Sequence, residues 1–307
     1  MHSSTHEATL QELIKKIPVF AEVTRISELP GGLTNSNYRV DTKNQSYVLR
    51  LSDDATSLLG IDRQNERINT RIAGQAGIGA AVICSLPDEN ILVTGWIDAK
   101  TLHAEDIHQR PFLLPRMAAA LRALHALPAF HQDFYFPSVR KKYLEMVVNH
   151  HYFLPDEYLH LEKRIEELEG MLASGPEPPV PCNNDLLAEN FMDDGEKIWI
   201  IDYEYSGQNE PSFDIGNMAA EIFLNDEQLR VFCDAYWQKH LPGKIYRAMA
   251  WSVIARFGWV MWASVQEAIS AIDFDFRTWG LKKWNSVLPE LQGDRFGEIA
   301  ENLKKYS

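Results

Sequence analysis

The sequence has few cysteines and no motif that uses them. Its 307 residues contain three, Cys84, Cys182 and Cys233, which lie far apart and form no CxxC pair. An odd number of widely spaced cysteines indicates neither a zinc site nor a redox couple. The pattern favours a reducing compartment, and we expect a cytoplasmic protein.

Basic charge and uninterrupted apolar runs are also scarce. Lys and Arg number 30 against 43 Asp and Glu, a net charge of −13, which argues against a broad nucleic-acid surface and suits bound Mg²⁺ or a cationic substrate. The most apolar stretch, residues 249–265, carries Arg256 at its centre and is short for a membrane span. We therefore expect a buried helix there, no stable membrane insertion and, from the N-terminal sequence, no signal peptide.

What the chain does contain is enough apolar material, 45%, for a sizeable core. An apolar pattern of helical spacing ends at Pro18, and β-prone runs separated by turn residues follow through residues 24–97, interrupted by a charged helical stretch at 61–79. Beyond Trp96 the apolar spacing is mainly helical. We predict an α+β protein with a strand-rich part, residues 1–95, and a helix-rich part, residues 96–307.

The stretch PCNNDLLAENF contains Asp185 and, five positions later, Asn190. This D-x-x-x-x-N spacing occurs in the catalytic loop of protein kinases, where the Asp accepts the proton of the attacking hydroxyl and the Asn binds a metal. An alternative is a polar turn in which Asp185 or Asn184 caps a helix. The spacing by itself leaves both interpretations open.

Asp202 strengthens the first interpretation. It ends the run KIWIID, the second strand of a predicted hairpin that starts at Asn190. Because the strands of a hairpin are antiparallel, Asn190 and Asp202 should lie at the same end of the ladder. Two oxygen ligands there suit Mg²⁺, and Glu204 could supply another carboxylate.

The strand-rich part has residues that could contact phosphates. LPGGLTNSNYRV places two glycines on a turn between strands, although it matches neither GxGxxG nor a Walker A motif. Arg50, in the strand SYVLRL, could bring positive charge to the phosphates, and Glu66 on the next helix could hold it by pairing. The alternative is an ordinary hairpin turn, a solvated strand end and a solvated helix face. The candidate nucleotide-binding residues are Gly32, Thr34, Asn35, Asn37, Arg50 and Glu66.

Taken together, GGLTNSNYRV, YVLRL, LRALH, PCNNDLLAENF, IWIIDYEYSGQNEPSFDIGNMAAE and FGWVMWASVQEAIS resemble the choline/ethanolamine kinase family. That family belongs to the kinase-like phosphotransferases, which also include the aminoglycoside phosphotransferases. The resemblance implies a two-lobed protein-kinase-like fold, with an antiparallel-sheet N-lobe, a mainly helical C-lobe and ATP in a cleft hinged near TGWID.

The resemblance also implies roles for individual residues. Asp185 would be the catalytic base, and Asn190 and Asp202 would hold Mg²⁺ with help from Glu204. Arg50 would stand where protein kinases have lysine, with Glu66 as its helix partner. Glu221 matches the acidic residue that the family places on the substrate ammonium.

Aromatic residues near the C-terminus suggest a site for a cation. Trp259 and Trp262 lie one helical turn apart, and AIDFDFRTWG adds Phe274, Phe276 and Trp279. Quaternary ammonium ions are bound by aromatic faces and nearby carboxylates, because they have no N–H to donate. Aromatic residues at helical spacing also occur in ordinary cores. The resemblance favours a substrate cage formed by Asp185, Glu221, Trp259, Trp262, Phe276 and Trp279.

Two positions depart from the family pattern. Asn183 stands where choline kinases usually have a histidine that orients the catalytic loop, and we expect Asn183 to donate a substitute hydrogen bond. Asp226 stands where they often have a pocket tyrosine, which leaves room for ethanolamine or another amino alcohol.

Our leading hypothesis is an ATP- and Mg²⁺-dependent kinase that phosphorylates choline or a related amino alcohol. The alternatives are a kinase for another small hydroxyl substrate, such as an aminoglycoside or thiamine, and a non-catalytic ligand sensor of the same fold.

Overall fold

The structure is a computed structural model that describes residues 10, 12–52 and 58–306. Its N-terminal part is a five-stranded sheet with the order β1-β2-β3-β5-β4. Every neighbouring pair in this sheet is antiparallel, as predicted. The strands are β1 Val23–Leu29, β2 Asn35–Thr42, β3 Ser46–Ser52, β4 Val82–Leu86 and β5 Ile91–Gly95.

The glycine turn, residues 30–34, joins β1 to β2. Gly31 has a φ of +101°, a backbone angle that residues with a side chain rarely adopt. A Cβ on Gly32 would collide with the carbonyl oxygen of Asn35. Glycine is required at both positions because it has no Cβ. The turn is therefore tight, and it brings the polar residues that follow it to the inner end of the sheet.

The sheet has a small core of its own. Val40, Leu49 and Val93 are completely buried in it, and the N-terminal segment packs on the same cluster through Leu10 and Ile14. Residues 12–15 are helical, so the predicted opening helix is confirmed where the chain is described. The sheet ends at Gly95, while the division of the chain at residues 95 and 96 stays a prediction.

Helix α1, Arg63–Gln75, is the predicted charged helix. Asp62 caps its first turn. Its buried side is polar: the Asn65 and Asn69 side chains donate hydrogen bonds to the carbonyl oxygen of Ser206 at 2.7 and 3.3 Å. These contacts connect the helix to the C-terminal part of the chain.

The C-terminal part is mainly helical, and its central helix α8, Pro242–Ile269, packs against the helices Phe136–His150, Pro211–Ile222, Phe276–Gln292 and Asp294–Tyr306. Within the described residues α8 alone has the length and hydropathy of a membrane span, and 94% of that apolar window is buried. The prediction of a buried helix over residues 249–265 is confirmed. The helices are α2 Ala104–Gln109, α3 Leu113–His125, α4 Phe136–His150, α5 Tyr158–Ser174, α6 Pro211–Ile222, α7 Asp226–Trp237, α8 Pro242–Ile269, α9 Phe276–Gln292 and α10 Asp294–Tyr306.

Short strands between the helices carry the candidate catalytic loop. The predicted hairpin is confirmed, with Phe191 opposite Ile200 and the Ile201 N–H donating to the carbonyl oxygen of Asn190 at 2.9 Å. Asn190 and Asp202 therefore lie at the same end of it. The strands are β6 Lys100–Thr101, β7 Val180–Cys182, β8 Phe191–Asp193, β9 Ile198–Ile200 and β10 Gly207–Asn209, in the orders β6-β8-β9 and β10-β7.

Candidate active site

A cavity of about 950 Å³ lies between the sheet and the helical part. The glycine turn, the sheet and residues 95–97 form one end, and aromatic side chains of α8 and α9 form the other. Almost all of the predicted site residues meet here, although they come from distant parts of the sequence. Those that line the cavity are Gly32, Thr34, Asn35, Asn37, Arg50, Asp185, Asn190, Asp202, Glu204, Glu221, Trp259, Trp262 and Trp279.

Asp185 lies in the loop between β7 and a single 3₁₀ turn that ends at Asn190. The Asn190 Nδ2 donates to the carbonyl oxygen of Asp185 at 2.6 Å, so the Oδ1 of Asn190 is left for another ligand. Burial raises the pKa of Asp185 well above its usual value, and the carboxylates of Glu204 and Asp202 raise it further. A raised pKa makes this carboxylate a stronger proton acceptor.

The Asn183 side chain makes hydrogen bonds to the backbone of both predicted acids, Asp185 and Asp202. Its Oδ1 accepts from the Asp185 N–H at 3.1 Å, and its Nδ2 donates to the carbonyl oxygens of Asp202 at 2.7 Å and Ile201 at 3.3 Å. Asp202 has a φ of +60°, a conformation that needs support in a residue other than glycine. Asn183 donates side-chain hydrogen bonds in the catalytic loop, as predicted, while their taking the place of those of a histidine stays a prediction.

Asp214 of α6 holds the loop that contains Asp185 through hydrogen bonds to its backbone. Its buried carboxylate accepts the N–H groups of Asn183 at 2.9 Å and Asn184 at 2.7 Å, and it lies 3.0 Å from the His125 Nε2. We did not predict this residue. The available signal was an acid between the apolar residues Phe213 and Ile215, because a buried acid needs partners.

Arg50 reaches the site from the middle strand of the sheet. Its guanidinium pairs with Glu66 of α1, as predicted, and its Nη1 donates to Asp202 Oδ1 at 3.2 Å. Glu66 does not line the cavity, and within the described part of the chain it reaches the cavity through this pairing and a second one with Arg63. The ion pairs of Arg50 thus connect the sheet to α1 and to the end of the hairpin.

Glu204 makes a second connection between the two parts of the chain. Its carboxylate accepts from Thr34 Oγ1 at 2.8 Å, Asn35 Nδ2 at 3.0 Å and Arg63 Nη1 at 3.1 Å. In this conformation its oxygens are therefore taken by protein donors, and binding a metal would require some of these contacts to break. Arg63 was not predicted, and its position three residues before Glu66 on α1 was the signal for it.

The aromatic end of the cavity is held by specific hydrogen bonds. The rings of Trp259 and Trp262 are perpendicular with centroids 6.3 Å apart, and Trp279 lies 5.3 Å from Trp262. The Trp259 N–H donates to Asn217 Oδ1 at 2.7 Å, and the Trp262 N–H donates to the Tyr205 hydroxyl at 3.0 Å. The indole rings therefore have defined positions before any ligand binds.

Phe276 differs from the prediction. It does not line the cavity but is buried behind Trp262, with ring centroids 5.8 Å apart. Asp275 caps α9 by accepting from the Thr278 N–H, so the first residue of the helix packs inward. Phe274 lines the cavity instead and is 40% exposed.

Glu221 lies on α6 with its carboxylate Oε2 only 2.5 Å from the Nζ of Lys283 on α9. That Nζ also lies 3.9 Å from the centroid of Trp279. Burial lowers the pKa of Lys283, while Glu221 opposes the shift. Lys283 was not predicted, although its spacing of four from Trp279 puts both on one face of α9.

Asp226 lies outside this cavity. Its carboxylate is 2.5 Å from the Nη2 of Arg295, and both residues line a separate pocket of about 220 Å³. The departure from the family pattern at this position does not place a new charge in the cavity that contains Asp185.

The donor types in the main cavity fit a nucleotide with Mg²⁺. Carboxylate and amide oxygens, which Mg²⁺ prefers, come from Asp202 and Asn190. The sheet end has an apolar lining suited to a flat base, formed by Val48, Ala80, Leu92, Met192 and Ile201.

A two-lobed arrangement with an acid, an amide and a second acid in the cleft defines a kinase-like phosphotransferase. The family model for choline/ethanolamine kinase matches residues 26–287. The chain belongs to the choline/ethanolamine kinase family and is a kinase.

Individual relatives agree with this assignment. A probable ethanolamine kinase A from Dictyostelium discoideum is 28% identical over 296 residues, which cover 85% of this chain and 83% of that protein. The crystal structure of a choline/ethanolamine kinase family protein from Mesorhizobium loti has 28% identity and a TM-score of 0.86, covering 98% of this chain and 99% of that one. Choline kinase LicA from Streptococcus pneumoniae, at 23% identity and a TM-score of 0.78, covers 93% and 99% and shares the fold. The predicted family and fold are confirmed.

Proposed function

We propose that the protein transfers the γ-phosphoryl group of ATP, with Mg²⁺, to the hydroxyl of choline, ethanolamine or a related amino alcohol. One observation carries this proposal: Asp185 shares a single cavity with the oxygen ligands Asn190 and Asp202 and with the tryptophans of α8 and α9. An acceptor held by the tryptophans would present its hydroxyl to Asp185.

At the nucleotide end, the chain would bind the base against the apolar lining of the sheet and the phosphates beneath the glycine turn. Arg50 would offset phosphate charge, and Asn190 and Asp202 would hold the metal, with Glu204 joining them only if it leaves Arg63. When bound, ATP and Mg²⁺ supply the phosphoryl group and neutralise its charge.

Asp185 would orient the acceptor hydroxyl and take its proton. The hydroxyl oxygen forms a bond to phosphorus as the bond to the leaving β-phosphate oxygen breaks, and the hydroxyl proton moves to the carboxylate. Asn183 and Asp214 would keep the carboxylate in line by holding the loop backbone. Little else is required of the protein, because positioning and charge supply most of the catalysis.

The aromatic end would select a cationic acceptor. The faces of Trp262 and Trp279 attract an ammonium group, by about 2 kcal/mol when both partners are desolvated. Their positions are set by hydrogen bonds and packing, so little ordering is needed when the acceptor binds.

The test is ADP release by the purified chain with ATP, Mg²⁺ and a panel of choline, ethanolamine, thiamine and an aminoglycoside. We expect turnover with an amino alcohol and a loss of at least about a hundredfold in Asp185→Asn, since general base catalysis contributes about that much or more. No ADP release above this variant with any acceptor would contradict the proposal. Binding of an amino alcohol by calorimetry without turnover would instead indicate a sensor, and turnover only with thiamine or the aminoglycoside would reassign the acceptor.

A further inference from the structure

We propose that Gln266 of α8 is a positioning residue for the nucleotide, because it fixes the glycine turn, residues 30–34, over the cavity by binding the backbone of Leu33. This inference rests on the proposed function and deepens it. It gives the helix that carries Trp259 and Trp262 a second role, at the opposite end of the cavity.

The first support is the contact between Gln266 and the turn. The Gln266 Nε2 donates to the carbonyl oxygen of Leu33 at 3.0 Å. Gln266 is only 4% exposed and does not line the cavity, whereas Leu33 does. A buried amide is costly to leave without a partner, so this hydrogen bond favours one position of the turn relative to α8. Gln266 therefore acts on the cavity through Leu33.

The second support is the packing of Leu33. Although the turn belongs to the strand-rich part of the chain, the Leu33 side chain packs against the apolar core cluster that contains Trp259, Trp262 and Val265 of α8. The small core of the sheet is a different cluster. The turn is thus attached to the helical part through both the side chain and the carbonyl oxygen of Leu33.

The third support is that this contact does not depend on Glu204. The turn also contacts the helical part through Thr34, whose Oγ1 donates to Glu204 at 2.8 Å. In the proposed function, Glu204 joins the metal only if some of its contacts with protein donors break. The hydrogen bond from Gln266 does not involve Glu204, so it would keep the turn over the phosphates after Thr34 loses its acceptor.

The position of Gln266 on α8 explains why a helix at the acceptor end would hold the turn. Gln266 follows Trp262 by four residues, which places both on one face of the helix. Trp262 lines the acceptor end, while Gln266 contacts the turn that would cover the phosphates. One helix thereby sets the distance between the acceptor hydroxyl and the phosphoryl group, on which the rate of transfer depends.

The main experiment uses the variant Gln266→Met in the complete chain. Methionine is similarly long and unbranched, but it has no N–H to donate. Calorimetry measures two ligands separately: adenylyl imidodiphosphate, a non-hydrolysable ATP analogue, with Mg²⁺, and the amino alcohol, choline or ethanolamine, that the wild type binds more tightly. We expect nucleotide affinity to fall about fivefold, or about 1 kcal/mol, the net contribution of one hydrogen bond. Amino alcohol affinity should stay within about twofold of the wild type.

The matched control is Ser264→Ala on the same helix. Ser264 is also buried, but its hydroxyl donates to the carbonyl oxygen of Val260 within α8 and does not contact the turn. Both affinities of this variant should stay within about twofold of the wild type.

Two results would overturn the inference. One is a nucleotide affinity of Gln266→Met within about twofold of the wild type. The other is a loss of amino alcohol affinity as large as the loss of nucleotide affinity, since general damage to α8 would affect both ligands.

A second variant, Gln266→His, tests rescue. Its Nε2–H lies about as far from the backbone as the glutamine amide and can donate to Leu33. Nucleotide affinity should return to within about twofold of the wild type, and an affinity as low as that of Gln266→Met would also overturn the inference. Calorimetry needs no turnover, so the expected changes without ADP release would contradict only the proposed function. Unchanged nucleotide affinity in an active Gln266→Met variant would contradict only this inference.

Discussion

The two ends of the cavity are built in different ways. At the nucleotide end, charged side chains from β3, α1 and the segment after β9 meet across the two parts of the chain, through Arg50, Arg63 and Glu204. At the acceptor end, Trp259 and Trp262 belong to the single buried helix α8. The first end depends on how the sheet sits on the helices, whereas the second depends on packing within one core.

One face of α6 supports the acceptor end and the catalytic loop together. Asp214, Asn217 and Glu221, spaced by three and four residues, hold the loop backbone, Trp259 and Lys283 respectively. Such spacing places all three on the same face of a helix. A substitution that shifts α6 should therefore affect acceptor binding and loop geometry together, while one at the nucleotide end should leave acceptor binding intact.

The largest expected effect is at the nucleotide end. Asp202→Asn should lower turnover by about a thousandfold, because it removes a carboxylate from the proposed metal and phosphate site. Asp202 has a left-handed backbone conformation, with a φ of +60°, which asparagine also adopts readily, so the variant should keep the fold. Choline affinity measured by calorimetry should stay unchanged.

The control for this prediction is Asp194→Asn in the turn of the same hairpin, which should keep wild-type turnover. Turnover of Asp202→Asn within tenfold of that control would argue against a catalytic role for Asp202, and a parallel loss of choline affinity would remove the contrast between the two ends.

At the acceptor end, a substitution that disturbs the packing of α6 against α8 should lower the stability of the fold. A Cβ on Gly216 of α6 would lie 2.5 Å from the carbonyl oxygen of Ala248 on α8, so Gly216→Ala should lower the free energy of unfolding by about 1–3 kcal/mol. Gly170→Ala, in α5 with nothing within 4 Å of the added methyl, should raise it by up to about 1 kcal/mol. Urea unfolding compares the two, and changes of the same sign would contradict the close approach of α6 and α8.

A third substitution tests the connection between the ends. Asn183→Ala removes the hydrogen bonds that join the Asp185 loop to Asp202, and kcat should fall about tenfold, the range of one or two hydrogen bonds. Michaelis constants for ATP and acceptor should change much less. Asn183→His restores a side-chain donor and should recover part of the activity. Equal activity of the wild type and Asn183→Ala would show that the loop keeps its conformation without the Asn183 side chain.

The smallest effect is expected at the acceptor end. Trp279→Leu should raise the Michaelis constant for choline about fivefold, since a partly exposed cation–π contact contributes about 1 kcal/mol. The constant for ATP should not move, and Trp199→Leu, outside the cavity, serves as the matched control. A similar rise in the Michaelis constants for choline and ATP would show that the substitution also alters the nucleotide end.

Many features were predictable because they depend on local spacing. The hairpin of β8 and β9 determines that Asn190 and Asp202 share an end, and the glycine turn follows from two residues that cannot carry a side chain. Residues whose role depends on a distant partner were missed. The local patterns around Arg63 and Asp214 do not show the role of either residue, since Arg63 matters through Glu204 and Asp214 matters through the Asp185 loop.

By itself, the sequence determined the family, the order of the elements and the acid and amide of the catalytic loop, since these follow from short-range patterns. Tertiary structure decided which faces those elements present. Phe276 packs inward because of how α9 begins, and Lys283 reaches Glu221 because α9 lies beside α6 and α8. Periodicity shows that a helix has faces, but only its packing partners decide which face meets a cavity, a core or a charge.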